Sequence, residues 1–199
     1  MARPSVEAER REQILAATRE VVAEMGFRAM RVADVAKRSG ASTGTVHYYF
    51  ETKRELMQAA FEWNFHASQA RRTPVVEAHE DPRDRLRAFL DSYLPVDEVV
   101  VQSWHMWIEL WTAALHDTDL RELNENVYGE WRRTVAGIIR DGQDRGYFVT
   151  GDPVLLANGL VSMVDGLALQ VLLGSRSMTL EQMRRVCEQS VELILTEGS

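Results

Sequence analysis

Residues 42–53 read STGTVHYYFETK and bring hydroxyl, imidazole, phenol and ammonium groups together on Ser42, Thr43, Thr45, His47, Tyr48, Tyr49 and Lys53. Such groups donate to phosphate oxygens, and a threonine methyl also meets the methyl of thymine. Gly44 would let the backbone approach a phosphate where a side chain would obstruct it. Lys53 adds a point charge at a helix start, where the helix dipole already favours anions. The chemistry in view is recognition of a polyanion, double-stranded DNA above all. The competing reading makes Tyr48 and Tyr49 core aromatics of a small bundle.

The elements that would position these groups are helical, because apolar residues recur at helical spacing throughout and no stretch alternates with a period of two. Val46 and Phe50 are four apart and share a face, which leaves the polar set on the other side. A first helix is predicted from Ser5 to Met25, with Ile14, Thr18, Val21 and Val22 inward and Arg10, Arg11 and Arg19 off that stripe; Gly26 would end it. A short helix over 32–38, the glycine-bearing turn "SGAS" and a helix over 43–50 make a helix-turn-helix. Thr52 and Glu55 spell a capping box that opens a longer helix at Lys53. That helix is expected to fray near "ARRTPVVEAHEDP". The predicted domains are residues 1–52, a linking helix 53–70, and residues 71–199. Asp81-Pro82, Asp152-Pro153 and Thr179 with Gln182 mark three later helix starts.

Charge divides along the same line. Residues 1–72 hold 12 Lys and Arg against 9 Asp and Glu, whereas the remainder holds 11 against 21 within a net charge of −7. The first segment is thus suited to face an anion and the second is not. The charged N-terminus lacks a secretory apolar region, and a cytoplasmic location without membrane partners is expected. Val154–Leu173 has spanning length but carries Asn158, Ser162, Asp165 and Gln170, and reads as a buried protein helix. Cys187 is the only cysteine, so no internal disulfide or cysteine metal cluster is possible.

Residues 10–57, with "ILAATREVVAEMGFRAMRVADVAKRSGASTGTVHYYFETKRELM", resemble the N-terminal domain of the TetR family of bacterial transcriptional repressors in order and spacing, without a gap. The resemblance implies an all-α protein of about nine helices. A three-helix helix-turn-helix domain would precede a larger helical regulatory domain, and the last two helices would form a four-helix dimer bundle with a second copy. It places DNA contacts at Ser42, Thr43, Gly44, His47, Tyr48, Tyr49 and Lys53, with Thr45 reading bases. The family usually carries Ser or Thr at the position of Arg31, as a helix cap. Arginine has no acceptor with which to cap, so Arg31 is expected to reach phosphate or the minor groove instead.

In the second half, Trp104, Trp107 and Trp111 lie at i, i+3 and i+7. They form either a core stripe or the wall of a pocket for an apolar or cationic ligand. "WHMWIELWTAALHDTDL" and "NGLVSMVDGLALQVLLG" are similar to the regulatory domain of the BetI-like subgroup, which responds to choline. The resemblance implies a small-molecule effector, a quaternary amine or an apolar compound; Trp131 and Asp165 are further candidates to line its pocket, and Asp165 reads alternatively as a hydrogen-bonded structural residue. Gly159, Ser162 and Gly166 make a small-residue strip, and Met183, Cys187, Ser190, Val191 and Ile194 a second stripe. The resemblance assigns both to the dimer interface; packing within one subunit is the alternative. The function expected is a repressor that binds a palindromic operator as a homodimer and is released by its effector, without a cofactor. An enzyme finds little support: no histidine pair has metal-ligand spacing beyond His105 with Glu109, and no phosphate loop or nucleophile elbow occurs. A helical adaptor that binds protein through the tryptophan helix is the remaining alternative.

Overall fold

The computed structural model describes residues 6–195, which form nine helices and no strand. They divide into two compact units: the chain up to Ser68 with Gln102–Asn124, and Gln69–Val101 with the chain from Glu125 onward.

The first unit holds α1 (Val6–Ala29), α2 (Val32–Arg38), α3 (Thr43–Tyr49) and the start of α4 (Lys53–Glu77), with most of α6 (Glu98–Ala114) and the start of α7 (Thr118–Asp144). Ile14, Leu15, Val21 and Val22 of α1 are buried, as are Val35, Val46, Phe50, Leu56 and Ala60. The α1 helix is broken at Gly26, whose φ of 75° favours glycine. A Cβ there would also stand 3.0 Å from Glu109 Oε1. Arg19 departs from expectation, being buried rather than solvated. Its Nε donates to Gln102 Oε1 at 3.3 Å and its guanidinium lies 5.2 Å from the Trp63 ring, so the aliphatic stem packs while the head is satisfied.

The predicted break after residue 70 does not occur, and α4 runs unbroken to Glu77 with Pro74 inside it. Proline there removes one backbone donor. Packing compensates, because Val76 and Arg72 are buried.

The second unit contains α5 (Pro82–Asp91), α8 (Pro153–Leu172) and α9 (Leu180–Glu192), with the rest of α4, α6 and α7. The helix starts follow the expected local chemistry. Asp81 accepts from Arg83 N–H at 2.8 Å, Asp152 from Val154 N–H at 2.8 Å, and Thr179 and Gln182 bond reciprocally. Near the end of α7, the Phe148 ring lies against Gly142, where a Cβ would stand 2.1 Å from Phe148 Cδ2. Gly142→Ala is therefore expected to destabilise the protein by about 1–3 kcal/mol through overpacking, measurable as a lower denaturant midpoint at unchanged m-value.

By length and composition α8 could cross a membrane, but its two faces differ. Ala157, Leu160, Val161, Val164 and Ala168 are buried, whereas Leu155, Gly159, Ser162, Gly166 and Leu173 are exposed. The small-residue strip therefore lies open on the surface. The α9 stripe does not. Met183, Cys187, Val191 and Ile194 are buried within the subunit, where α9 packs on α5 and α8, and Ser190 is half-buried with its hydroxyl on Val186 O and Met163 Sδ. This is the packing within one subunit that stood as the alternative to a dimer contact for this stripe. Burial also pushes the Cys187 thiol up to about 11. The outward face of α9 carries Gln189 and Leu193.

Candidate functional site

The first unit displays α3 as a helix anchored on one side and bare on the other. Val46 is fully buried and Phe50 nearly so, whereas Thr43, Gly44, His47 and Tyr48 are exposed, Tyr48 by 75%. Thr45 and Tyr49 are half-buried, and Tyr49 supports Tyr48 edge-on at 5.1 Å between ring centroids. Ser42 is the N-cap: its Oγ accepts from Thr45 N–H at 3.0 Å and lies 2.8 Å from Thr45 Oγ1. Its cap oxygen is thus already used by the helix, and the same contact fixes the rotamer of Thr45.

Lys53 opens α4, with Nζ 3.3 Å from Arg28 O and 4.6 Å from the Phe27 ring centroid. Its charge is held at a defined place rather than swinging freely. The predicted capping box differs in one detail, because Thr52 accepts from Glu55 N–H while the Glu55 carboxylate reaches Glu51 N–H instead. Arg31 precedes α2 with its side chain exposed and makes no side-chain cap. Asp34 accepts from its backbone N–H at 2.9 Å.

The five residues expected to line one effector pocket are divided between the units. Trp104, Trp107 and Trp111 belong to the first, where Trp107 meets Phe65 edge-on at 6.4 Å and Trp111 lies 6.4 and 6.2 Å from Trp104 and Trp107. Trp104 and Trp107 are buried.

Trp131 and Asp165 belong to the second unit, in a cluster that sequence reasoning saw only in part. Trp131 stacks on Tyr93 at 4.3 Å and 29°, meets Tyr128 edge-on at 5.5 Å and lies 6.3 Å from Phe89. The Tyr128 hydroxyl donates to Asp165 Oδ2, while Asp165 Oδ1 is buried without a hydrogen-bond partner. Burial pushes the Asp165 carboxyl up to about 7, although the Tyr128 bond opposes this. Burial, followed by the Asp165 charge, raises the Tyr128 hydroxyl beyond its ordinary range. On Tyr93, Arg72 Cζ stands 3.4 Å from the ring centroid. Tyr93 is thereby held between a guanidinium and an indole, on opposite faces, since both groups would collide on one. Aromatic faces thus surround a buried, half-satisfied carboxylate.

Tyr93, Tyr128, Phe89 and Arg72 were missed. Faint signals existed in the i, i+3 spacing of Tyr128 with Trp131 and the i, i+4 spacing of Phe89 with Tyr93.

The chain is similar to known proteins. Residues 14–60 match the model of bacterial regulatory proteins of the tetR family, and residues 82–196 match that of the BetI-type transcriptional repressor C-terminal region. The HTH-type transcriptional regulator BetI of Ectopseudomonas mendocina is 29% identical, with 95% of each chain covered. A crystal structure of a putative transcriptional regulator from Saccharomonospora viridis in complex with choline superposes with a TM-score of 0.89 at 30% identity, covering 95% of this chain and 99% of that one. A putative TetR-family regulator from Rhodococcus sp. gives 0.84 at 28% identity over 94% and 99%.

Proposed function

Because the chain belongs to the TetR family of transcriptional regulators, with a BetI-type C-terminal region, we propose that it represses transcription in the cytoplasm as a homodimer. It binds a palindromic operator and is released by an organic cation. The observation that carries the DNA half is the amphipathic split of α3, where buried Val46 and Phe50 fix a helix whose Thr43, His47 and Tyr48 face outward. In the dimer two such helices enter successive major grooves, about 34–36 Å apart. Lys53 and Arg31 contact phosphates, and Thr45, positioned by Ser42, reads bases.

The exposed strip of Leu155, Gly159, Ser162, Gly166 and Leu173 on α8 supports the dimer, because small residues let two helices approach closely and the flanking leucines seal the contact. The effector's ammonium group rests among Tyr128, Trp131 and Asp165. Choline bound to the Saccharomonospora viridis relative supports this class of ligand. Effector binding favours a conformation with a weaker grip on DNA, so by linkage DNA weakens effector binding equally.

The operator is recoverable by in vitro selection from random duplexes. On it, Lys53→Ala is expected to weaken binding to every sequence alike and to flatten the salt slope by about one unit, whereas Thr45→Ala changes base preference. Unchanged affinity and preference in both variants, measured by fluorescence anisotropy at several salt concentrations, would refute the assignment of this helix.

A further inference from the structure

Arg11 is an exposed cation with a ring beneath it. It lies in the second turn of α1, and its Cζ stands 5.3 Å from the centroid of the Phe50 ring. Phe50 is the C-cap of α3, directly after Tyr49, and is only 2% exposed, so the platform under the guanidinium is fixed by the core. Among the described residues Arg11 forms no ion pair, although Glu7 precedes it by one helical turn. Other arginines of the same unit are neutralised: Arg38 pairs with Glu20 and Glu24, and Arg54 with Asp117 and Asp119.

An ion pair holds a guanidinium in place but cancels its charge. An aromatic face holds it and leaves the charge available to a ligand. Lys53 is held by the same device, 4.6 Å from the Phe27 ring centroid. Arg11 lies near the start of α1 and Phe27 in its last turn, so the two cations are anchored at opposite ends of one helix and cannot share a phosphate. The planar fork of arginine matches two phosphate oxygens, which suits Arg11 to this partner better than a point charge would.

We propose that Arg11 is a further phosphate contact of the DNA-binding face, supplied by α1 from outside the helix-turn-helix, and that it sets affinity for every sequence alike rather than base preference. This rests on the placement of DNA at α3 proposed above and extends that face onto α1.

Operator binding of the full chain, by fluorescence anisotropy at several salt concentrations, is compared for the wild type, Arg11→Met, Arg11→Lys and Lys53→Ala. Methionine keeps an unbranched stem on the Phe50 ring and loses the charge, whereas lysine keeps the charge. Arg11 is exposed, so both of its variants should fold with an unchanged melting temperature. Arg11→Met is expected to bind the selected operator and random duplexes alike more weakly, by at least about tenfold near 0.1 M salt, with its salt slope flattened as by Lys53→Ala. Arg11→Lys should keep the wild-type slope. A wild-type slope in Arg11→Met beside a flattened one in Lys53→Ala overturns the Arg11 contact and leaves the α3 face standing. So does a slope flattened equally in both Arg11 variants, which would mark a packing role on Phe50. Wild-type slopes in Arg11→Met and Lys53→Ala together remove the DNA face itself, and the Arg11 contact with it.

Discussion

Asp165→Asn is expected to raise the stability of the protein at pH 8 and, at the same pH, to weaken choline binding at least about tenfold. Both effects come from one buried carboxylate. Burial holds its pKa up to about 7 in the folded protein, above the value of about 4 in an unfolded chain. Between those values the folded state keeps a proton that the unfolded state has lost, so stability falls as pH rises through the window and the full cost is present above pH 7. Asparagine still accepts from Tyr128 and carries no charge, so it removes that cost, on the order of 1–3 kcal/mol. Thermal melts from pH 4 to pH 8 would show the variant flat where the wild type declines.

Ligand binding runs the other way. A cation pairs with the ionised carboxylate, so wild-type affinity for choline should rise as pH increases through 7, while the variant shows no such rise. A wild type less stable at pH 4 than at pH 8, by a margin the variant lacks, would contradict the burial of this acid.

Tyr48→Glu is expected to leave the fold intact and to reduce operator affinity at least about a hundredfold. Tyr48 is 75% exposed, and exposed substitutions away from caps and cores change stability by about 0.5 kcal/mol or less. On the DNA the substitution replaces a phenol donor with a carboxylate facing phosphates, where like-charge contact costs several kcal/mol. The loss occurs once in each half-site of the dimer. An unchanged melting temperature with undiminished operator affinity would place the DNA surface elsewhere.

The parts of the fold that local chemistry dictates were legible in the sequence. Asp81-Pro82 and Asp152-Pro153 start helices because a cap and a proline act on their own first turn, and Val46 with Phe50 fixes the inward side of α3. The parts that depend on tertiary packing were not. The stripe Met183, Cys187, Val191 and Ile194 announces a buried face but not its cover, and α5 and α8 of the same chain cover it. Likewise "ARRTPVVEAHEDP" reads as a linker because Pro74 and its polar neighbours disfavour a helix, while burial of Arg72 and Val76 keeps α4 whole. The proposed cation site draws Tyr93 from just after α5, Tyr128 and Trp131 from α7, and Asp165 from α8. Sequence order separates them widely, so periodicity within one helix pointed to the three indoles of α6 and away from this cluster.

The most direct test of a ligand-released repressor is operator affinity, by fluorescence anisotropy, across a titration with choline, for the wild type and Asp165→Asn. The account predicts that the ligand weakens the wild-type complex and that the variant needs at least about tenfold more ligand for the same weakening. A wild-type complex of equal affinity with the ligand bound would contradict it.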